Sequence, residues 1–380
     1  MKKILYVTGT RADYGLMRSV LKNIDEHPNL ELEIVATGMH IMKEFGNTVD
    51  EIKKDGFKTH IIEATYDEDT KESMVNFIGK TIQLFTKIFL KINPDIILVL
   101  GDRGEMLAGT IVGAYLTIPV AHVHGGEVTS TIDESTRHAI TKFSHIHFPA
   151  TKKGAERIIR MGEDPSRVFI VGAPGLDAIL KDDFAIPKEL SKKYKFDILK
   201  PIILVVQHPV TNEYELAAKQ MHETLEAISE LKHKTILIYP NADAGGRKMI
   251  KVIEKYKKYP FILPFKNIPH RDFLGLMNIA SVLVGNSSSG IVEAPSFGLP
   301  VVNIGTRQEG RERAENIIDT DYKKEQIICA INKAINDEEF IKNVKKCRNP
   351  YASENTGKKI AEILSNIYID NNLLQKKIMY

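Results

Sequence analysis

Carboxylates, arginines and histidines stand close together between residues 101 and 138. Asp102 and Arg103 follow an apolar run and a glycine, Glu127 follows a second apolar run, and Asp133 and His138 come next. Carboxylates and histidines are the side chains that most often move protons in enzymes, and an arginine among them can hold an anionic substrate. This segment therefore predicts acid–base chemistry on an anionic substrate.

A second group of side chains, in the later half of the sequence, suits a diphosphate. Ser287 and Ser288 follow an apolar run and open a helix, so that their hydroxyls and backbone N–H groups can bind an anion. Glu293 can accept hydrogen bonds from ribose hydroxyls, and Arg307 follows the next apolar run, where it meets the same ligand. A capping box ending at Glu293 is the alternative, but Gly290 has no hydroxyl to form it.

Three more polar residues follow apolar runs. Arg11 lies in a glycine-bearing turn that opens a helix, a place that suits a phosphate, although a plain surface cation is the alternative. The turn does not match GxGxxG, which disfavours a nicotinamide or flavin cofactor. His208 and Asn241 follow two successive apolar runs, and His208 is either a catalytic or phosphate-binding group or a structural histidine.

The first group also has structural interpretations. Asp102 and Arg103 could form a local ion pair, which would make both residues structural. His122 and His124 alternate along a strand and share one face of it, so that with Glu127 they suggest a metal site. No third histidine or cysteine stands at a familiar ligand spacing, and the prediction is therefore that no metal is bound.

The segment after Glu127 carries helix-start signals. Thr131 and Glu134 have the spacing of a capping box, which makes a cap the favoured role for Glu134. Asp133 and Arg137 are four residues apart, the spacing of an ion pair along one helix face. Asp133 and His138 stay candidates for the site because they follow Glu127 so closely that all three must share one rim.

The apolar runs predict the elements that position these residues. They lie at residues 4–7, 32–36, 96–100 and 120–123 and, in a second series, at 202–206, 235–239, 261–263, 281–284 and 301–304. Continuous apolar strands separated by amphipathic helices are typical of parallel sheets covered on both faces. We therefore predict an α/β protein with two doubly wound, Rossmann-like domains that face a cleft.

The predicted domains are residues 1–175, which carry the carboxylates, and residues 176–365, which bind the nucleotide. Residues 366–380 form a tail that either crosses back to the first domain or frays. A chain of 380 residues exceeds the size at which one hydrophobic core stops growing, which also favours two domains.

Composition narrows the class of protein further. The net charge is +3, and 52 basic residues are interleaved with 49 acidic ones, so no nucleic-acid partner is expected. The two cysteines, Cys329 and Cys347, are too far apart for a CxxC motif and fit a reducing, cytoplasmic compartment. The apolar run at residues 4–7 is too short for a signal peptide or a membrane span, so no membrane partner is expected.

Taken together, these residues resemble the hydrolysing UDP-N-acetylglucosamine 2-epimerases, which begin the synthesis of sialic acid and related nonulosonates. The motifs that carry the resemblance are, in chain order, Arg11-Ala12-Asp13-Tyr14, Gly101-Asp102-Arg103, Gly125-Gly126-Glu127, Thr131-Ile132-Asp133 with Arg137-His138, Gln207-His208-Pro209-Val210-Thr211, Pro240-Asn241, Gly285-Asn286-Ser287-Ser288 and Gly305-Thr306-Arg307-Gln308. Non-hydrolysing relatives have Arg-Pro-Glu in place of Arg11-Ala12-Asp13, which favours the hydrolysing branch.

The resemblance implies a glycosyltransferase-B-like fold, a homodimer or homotetramer, a UDP-sugar as substrate and water as co-substrate. It implies no redox cofactor and no obligatory metal. UDP is eliminated from the sugar to give a glycal, and hydration of the glycal gives the free 2-epimer, N-acetylmannosamine when the substrate is UDP-N-acetylglucosamine.

The resemblance also implies roles for individual residues. Asp102, Glu127 and Asp133 move the protons, and His208 and Arg307 balance charge on the departing diphosphate. The remaining candidates position the substrate or the nucleotide, and they are Arg11, Arg103, Asn241, Ser287, Ser288 and Glu293.

Four other functions share parts of this pattern. They are an epimerase for a 2,4-diacetamido or GDP-linked sugar, a glycosyltransferase with the same architecture, a metal-dependent hydrolase that uses His122, His124 and Glu127, and a nucleotide-sugar-binding regulator without turnover. Sugar release without an acceptor separates an epimerase from a glycosyltransferase, and activity after chelation would exclude the metal hydrolase. A regulator would leave the three carboxylates idle, which disfavours it.

Overall fold

The computed structural model describes residues 1–379 and contains two six-stranded sheets. The strands of the first sheet are β1 (Lys2–Thr8), β2 (Leu30–Ala36), β3 (Thr59–Ile61), β4 (Ile96–Leu100), β5 (Val120–Val123) and β6 (Ile146–Phe148). Those of the second are β7 (Ile202–Val206), β8 (Lys234–Ile238), β9 (Ile262–Phe265), β10 (Val282–Gly285), β11 (Val301–Ile304) and β12 (Ile317–Thr320). The strand orders are β3-β2-β1-β4-β5-β6 and β12-β11-β10-β7-β8-β9, and every neighbouring pair is parallel. The predicted pair of doubly wound sheets is confirmed.

Helices cover these sheets. In chain order they are α1 (Arg11–Asp25), α2 (Val49–Lys54), α3 (Lys71–Ile92), α4 (Gly104–Tyr115), α5 (Ile132–Phe143), α6 (Lys152–Arg160), α7 (Leu176–Leu180), α8 (Pro187–Tyr194), α9 (Ala217–Leu231), α10 (Gly246–Tyr256), α11 (His270–Ile279), α12 (Ser289–Val292), α13 (Lys324–Asn336), α14 (Glu338–Val344), α15 (Thr356–Asn366) and α16 (Asn371–Leu374). Within residues 1–379, none of the helices is both long enough and apolar enough to cross a membrane.

Burial of the central strands fixes the starting points of the loops that follow them. All five residues of β4 and all five of β7 are buried, since both strands are continuous runs of isoleucine, leucine and valine. Burying each such side chain contributes about 1.5–3 kcal/mol. The strand ends are therefore anchored on both faces, and the loops that follow them start from fixed points.

The last helices return the chain to the first sheet. Ile360 and Leu364 of α15 join the same apolar core as Met17 and Leu21 of α1. In α16, the carbonyl of Leu373 accepts a hydrogen bond from Arg167 at 3.0 Å, which holds the tail against the first half of the chain. The division into residues 1–175, 176–365 and 366–380 stays a prediction, and the packing of α15 favours a return earlier than residue 366. Residue 380 of the predicted tail lies outside the described residues.

Contacts beside the cleft join the two halves of the chain. Arg247 of α10 pairs with Glu44 at 2.6 Å, and Asp69 accepts hydrogen bonds from the backbone N–H groups of Gly245 and Lys248 at 2.7 and 3.0 Å. The two hydrogen bonds to Asp69 satisfy free N–H groups at the start of α10, as a capping carboxylate does. Loops of the first sheet therefore fix the position of the second.

Candidate active site

One cleft between the carboxyl ends of the two sheets contains eleven of the residues that the sequence predicts for the site, whereas the candidate His138 is not in its lining and lies 3.7 Å from Glu134. The residues that line it are Arg11, Asp102, Arg103, Glu127, Asp133, His208, Asn241, Ser287, Ser288, Glu293 and Arg307. Open α/β sheets place ligands at this edge because their loops converge there. The structure brings the residues together, and the chemical role of each one stays a prediction.

Glu127 is a buried carboxylate with a histidine and an arginine as partners. Its Oε1 accepts a hydrogen bond from His124, and its Oε2 pairs with Arg311 from the second half of the chain. Burial on its own raises the pKa of Glu127, but Arg311 and His124 outweigh burial and lower the pKa to about 2. The carboxylate is therefore ionised at any physiological pH.

Asp102 pairs with Arg137 of helix α5. Arg103 turns away from Asp102 to bind Glu105 at 2.7 Å, which contradicts the alternative of a local ion pair between Asp102 and Arg103. Arg137 of α5 reaches Asp102 instead of forming the predicted pair with Asp133, and it also donates to the carbonyl of Glu127 at 3.1 Å. One buried guanidinium thus fixes the loops after β4 and β5 relative to each other.

Asp133 lies at the start of α5 and faces the second half of the chain. Its nearest cation is Arg307, at 3.4 Å. The predicted capping box is wrong, because the Thr131 hydroxyl accepts from the N–H of Asp133 and the Glu134 carboxylate accepts from the N–H of Thr129. Neither of these hydrogen bonds uses the Asp133 carboxylate, which faces Arg307 across the cleft.

His208 is held as a neutral imidazole. Burial, then Arg307 and Arg103, lowers its pKa well below the usual range. Its Nδ1 accepts from the backbone N–H of Asn241 at 3.2 Å, so the proton lies on Nε2. The residue can donate one hydrogen bond to a phosphate oxygen, but it carries no full positive charge for the predicted charge balance.

The loop after β10 forms the predicted nucleotide side. Gly285 has a φ of +131°, and a Cβ there would lie 2.1 Å from the carbonyl oxygen of Val206, so only glycine fits. Ser287 and Ser288 follow this turn and line the cleft. Glu293 is buried next to them, and burial raises its pKa to about 7, although His124 and Arg311 oppose the rise.

Arg11 crosses from the first sheet to the second. The helix α1 begins at Arg11, because Thr10 and Asp13 form a capping box there. The Arg11 side chain donates to Asn267 at 3.0 Å and lies 5.4 Å from the ring centroid of Phe273. These contacts contradict the alternative of a plain surface cation.

The histidines beside Glu127 do not form the metal site that their spacing suggests. His122 uses both ring nitrogens, one with Thr141 at 3.1 Å and one with the carbonyl of Gly101 at 2.8 Å. His124 follows the end of β5 with a φ of +61°, which breaks the alternation of the strand. Within the described part of the chain, no group of three or more His, Cys, Asp or Glu side chains is placed to hold a metal ion.

One cleft thus contains a buried, ionised carboxylate, two further carboxylates and the serine loop that the sequence predicts for a diphosphate. A family model described as UDP-N-acetylglucosamine 2-epimerase matches residues 22–365 of the chain. The chain belongs to this family.

Two relatives cover this 2-epimerase almost completely. The UDP-N,N'-diacetylbacillosamine 2-epimerase (hydrolyzing) of Legionella pneumophila is 41% identical over 99% of both chains. The UDP-N-acetylglucosamine 2-epimerase of Neisseria meningitidis is 35% identical over 100% of this chain and 99% of that protein. Two solved structures of UDP-N-acetylglucosamine 2-epimerases, each 20% identical to this chain, share the fold. One is a structure of a Neisseria meningitidis enzyme bound to UDP-GlcNAc, which has a TM-score of 0.80 and covers 95% of this chain and 99% of its own. The other is the Methanocaldococcus jannaschii enzyme with UDP-GlcNAc and UDP, which has a TM-score of 0.79 and covers 96% of this chain and 99% of its own.

The structure of this 2-epimerase adds contacts that the sequence did not predict. Arg137, which the sequence paired with Asp133, and Arg311 each bind a carboxylate of the predicted site, and His124, considered only as a metal ligand, binds Glu127. Asn267 and Phe273, which the sequence did not single out, contact Arg11. Arg311 stands four residues after Arg307 in the same motif, which was the one signal for it. Asn267 and Phe273 carry no local signal, since their partner Arg11 is distant in sequence.

Proposed function

We propose that the protein hydrolyses a UDP-linked 2-acetamido sugar with inversion at C2 and releases UDP and the free 2-epimer. The observation that carries this proposal is the position of Asp102, Glu127 and Asp133 in the same cleft as Ser287 and Ser288. Proton removal and return at C2 need more than one acid–base group, and a leaving UDP needs an anion site. UDP-N-acetylglucosamine, which would give N-acetylmannosamine, is the first candidate substrate.

A second candidate is UDP-N,N'-diacetylbacillosamine, a 2,4-diacetamido sugar. It is favoured by the higher identity of the chain to the Legionella pneumophila relative, whose name specifies that substrate. A further relative from Campylobacter jejuni is described as a GDP/UDP-N,N'-diacetylbacillosamine 2-epimerase, so a GDP-linked sugar belongs in the test.

The proposed reaction begins with cleavage of the bond between C1 and the UDP oxygen. Positive charge then builds on the sugar and acidifies the C2 proton, which one of the three carboxylates accepts as the glycal forms; the ionised carboxylate of Glu127 also stabilises the positive charge. The product of this step is the 2-acetamidoglucal. Water adds to C1 and a proton returns to the opposite face of C2, with Asp102 and Asp133 as the other acid–base groups.

Nucleotide contacts divide between the two halves of the cleft in this proposal. Ser287, Ser288 and Arg307 bind the diphosphate, and His208 donates a hydrogen bond from Nε2. Glu293 accepts hydrogen bonds from the ribose hydroxyls. The other three residues, Arg11, Arg103 and Asn241, position the ligand.

UDP is expected to bind more tightly above pH 7 than below it. The pKa of Glu293 is about 7, so the group is an ionised acceptor above this pH and a neutral acid below it. Calorimetric titration of UDP between about pH 5.5 and 8.5 measures this change. The Glu293→Gln variant should bind UDP weakly and show only the pH dependence of UDP itself. Equal profiles for both proteins would contradict the ribose contact.

Turnover in deuterated water tests the proposed reaction. The protein is incubated, without any acceptor, with UDP-N-acetylglucosamine, UDP-N,N'-diacetylbacillosamine and their GDP-linked counterparts, and the released sugar is identified by NMR. We expect UDP and a free 2-epimer that carries deuterium at C2. Complete retention of the original hydrogen at C2, or release that requires an acceptor sugar, would refute the proposal.

The resemblance adds three expectations to this proposal. The enzyme works in the cytoplasm, it assembles as a homodimer or homotetramer, and its product enters the synthesis of sialic acid or a related nonulosonate. Both cysteines are free thiols in the structure, which fits a reducing compartment.

A further inference from the structure

A second cavity shares two residues with the cleft. Glu127 and Arg311 line both spaces. The other walls of the second cavity, which we call the rear cavity, come from the start of α6 at residues 151–157 and from the segments 310–313 and 348–351. The rear cavity therefore reaches the Glu127–Arg311 pair by a route separate from the sugar-nucleotide cleft.

The lining of the rear cavity is strongly basic. The lining contains two carboxylates, those of Glu127 and Glu312. It contains five basic side chains, which are those of Lys153, Arg157, Arg311, Arg313 and Arg348. Arg313 is neutralised by Asp319 at 2.6 and 2.7 Å, outside the cavity lining. Within residues 1–379, neither Arg157 nor Arg348 forms an ion pair. This surplus of positive charge selects for an anion.

A buried donor in the lining has no acceptor. The Arg311 side chain is only 7% exposed, its Nη2 binds Glu127, and its Nε has no hydrogen-bond partner within the described residues. Leaving a buried donor unsatisfied is unfavourable, so an oxygen that accepts from Nε would stabilise the site. An arginine of this kind suits an oxyanion because its N–H groups form a planar fork.

Helix α6 directs its N-terminus to the same space. Thr151 caps the helix by accepting from the N–H of Gly154 at 3.1 Å, and Thr151, Lys153 and Gly154 all line the rear cavity. The φ of Gly126 is +77°, and a Cβ there would lie 2.2 Å from the Gly154 carbonyl oxygen, so the loop before Glu127 packs closely on this turn. The positive end of the helix dipole adds to the surplus charge.

We propose that the rear cavity binds a phosphate-class oxyanion, free or as a monoester, and that this ligand regulates the enzyme through the Arg311–Glu127 pair. The bound anion competes with Glu127 for the Arg311 guanidinium, which weakens the cationic support of the Glu127 carboxylate. The proposed binding of the anion depends only on the rear cavity, whereas the proposed regulation rests on the proposed function.

Phosphate binding is measured on the intact protein with UDP at saturation, so that the cleft is occupied, and at constant ionic strength. Inorganic phosphate is titrated by calorimetry into the wild-type protein and into a variant with Lys153→Gln and Arg348→Gln. The matched control carries Lys152→Gln and Lys346→Gln, which remove the same charge from exposed neighbours outside the lining. We expect similar affinity in wild type and control, and a loss of about tenfold or more in the cavity variant.

Equal phosphate affinity in the cavity variant and the control would overturn the proposal, as would the absence of binding to UDP-saturated wild type. Glycerol 3-phosphate in place of phosphate tests for a monoester, and binding of either one supports the site. If UDP does not bind, the proposed function fails, and titration of phosphate alone into the same three proteins still tests the cavity.

The regulatory part is tested on kcat. Phosphate should change kcat at saturating UDP-sugar in the wild type and in the control, and this change should be lost in the cavity variant. A phosphate effect of equal size in the cavity variant would place the anion in the main cleft and overturn the regulation. Phosphate binding that leaves kcat unchanged would overturn it as well.

Discussion

Replacing Glu127 with glutamine is expected to lower kcat by about 100-fold or more, the usual loss when a positioned acid or base is removed. The amide keeps the shape of the side chain and one oxygen for Arg311, but it has no negative charge and accepts no proton. The variant should fold, because the apolar cores do not include this residue. The measurement is release of UDP and of the free sugar at saturating substrate. Turnover like that of the wild type would remove Glu127 from the proposed mechanism.

The stability of the same variant shows whether Glu127 is held ionised by its partners. The pKa of Glu127 is lowered to about 2 in the folded protein, so its pairing stabilises the fold above the usual carboxyl pKa. This contribution is lost as the pH falls from about 4.5 towards 2. The difference in the free energy of unfolding between wild type and Glu127→Gln should therefore shrink on acidification. A difference that is constant over this range would contradict the pairing of the Glu127 carboxylate with its partners Arg311 and His124.

Asp102→Asn and Asp133→Asn are the comparison variants for this experiment. Both carboxylates lie partly exposed in the same cleft, with Arg137 and Arg307 as their partners. Since each asparagine stays in contact with solvent, we expect smaller losses of stability than for Glu127→Gln and comparable losses of kcat. An unchanged kcat in either variant would remove that carboxylate from the proton-transfer steps.

The strands that hold the site could be predicted because each carries a continuous apolar run. The bounds of β4 and β7 are those of the sequence pattern. The strands β3, β6 and β12 were not predicted, since β3 and β12 are only partly buried edge strands and His147 interrupts the apolar run of β6. Periodicity reports burial, and an edge strand with polar residues gives little of that signal.

The sequence also predicts that the site residues lie close together, but it does not predict which of them form ion pairs. Strand ends of parallel sheets must meet at one edge, which brings Glu127 and Asp133 to the same rim. Nothing in the sequence indicates that Arg311 binds Glu127 or that Arg307 faces Asp133, because these contacts depend on how the two sheets are set against each other. The sequence also gives no sign of the left-handed backbone of His124. This conformation removes His124 from the strand face that it was expected to share with His122.

Arg137→Met is expected to lower kcat by about tenfold to 100-fold, with little change in the affinity for UDP. Arg137 is 3% exposed, pairs with Asp102 and donates to the carbonyl of Glu127, so it positions two of the proposed acid–base groups. Methionine fills the space of the aliphatic stem but leaves Asp102 and that carbonyl without their donor. The free energy of unfolding should fall by about 1–3 kcal/mol, the cost of leaving such groups unpaired.

The kcat loss is separated from a general loss of structure by two further measurements. Calorimetry of UDP reports the nucleotide side of the cleft, and an unchanged Kd shows that the effect of Arg137→Met is local to the carboxylates. In a double-mutant cycle with Asp102→Asn, the two substitutions should be coupled by about 0.5–3 kcal/mol, because the residues are in contact. Arg137→Lys should recover part of the activity, since it keeps the charge without the planar fork. Wild-type kcat in Arg137→Met, or additive effects in the cycle, would show that Arg137 does not position Asp102 for catalysis.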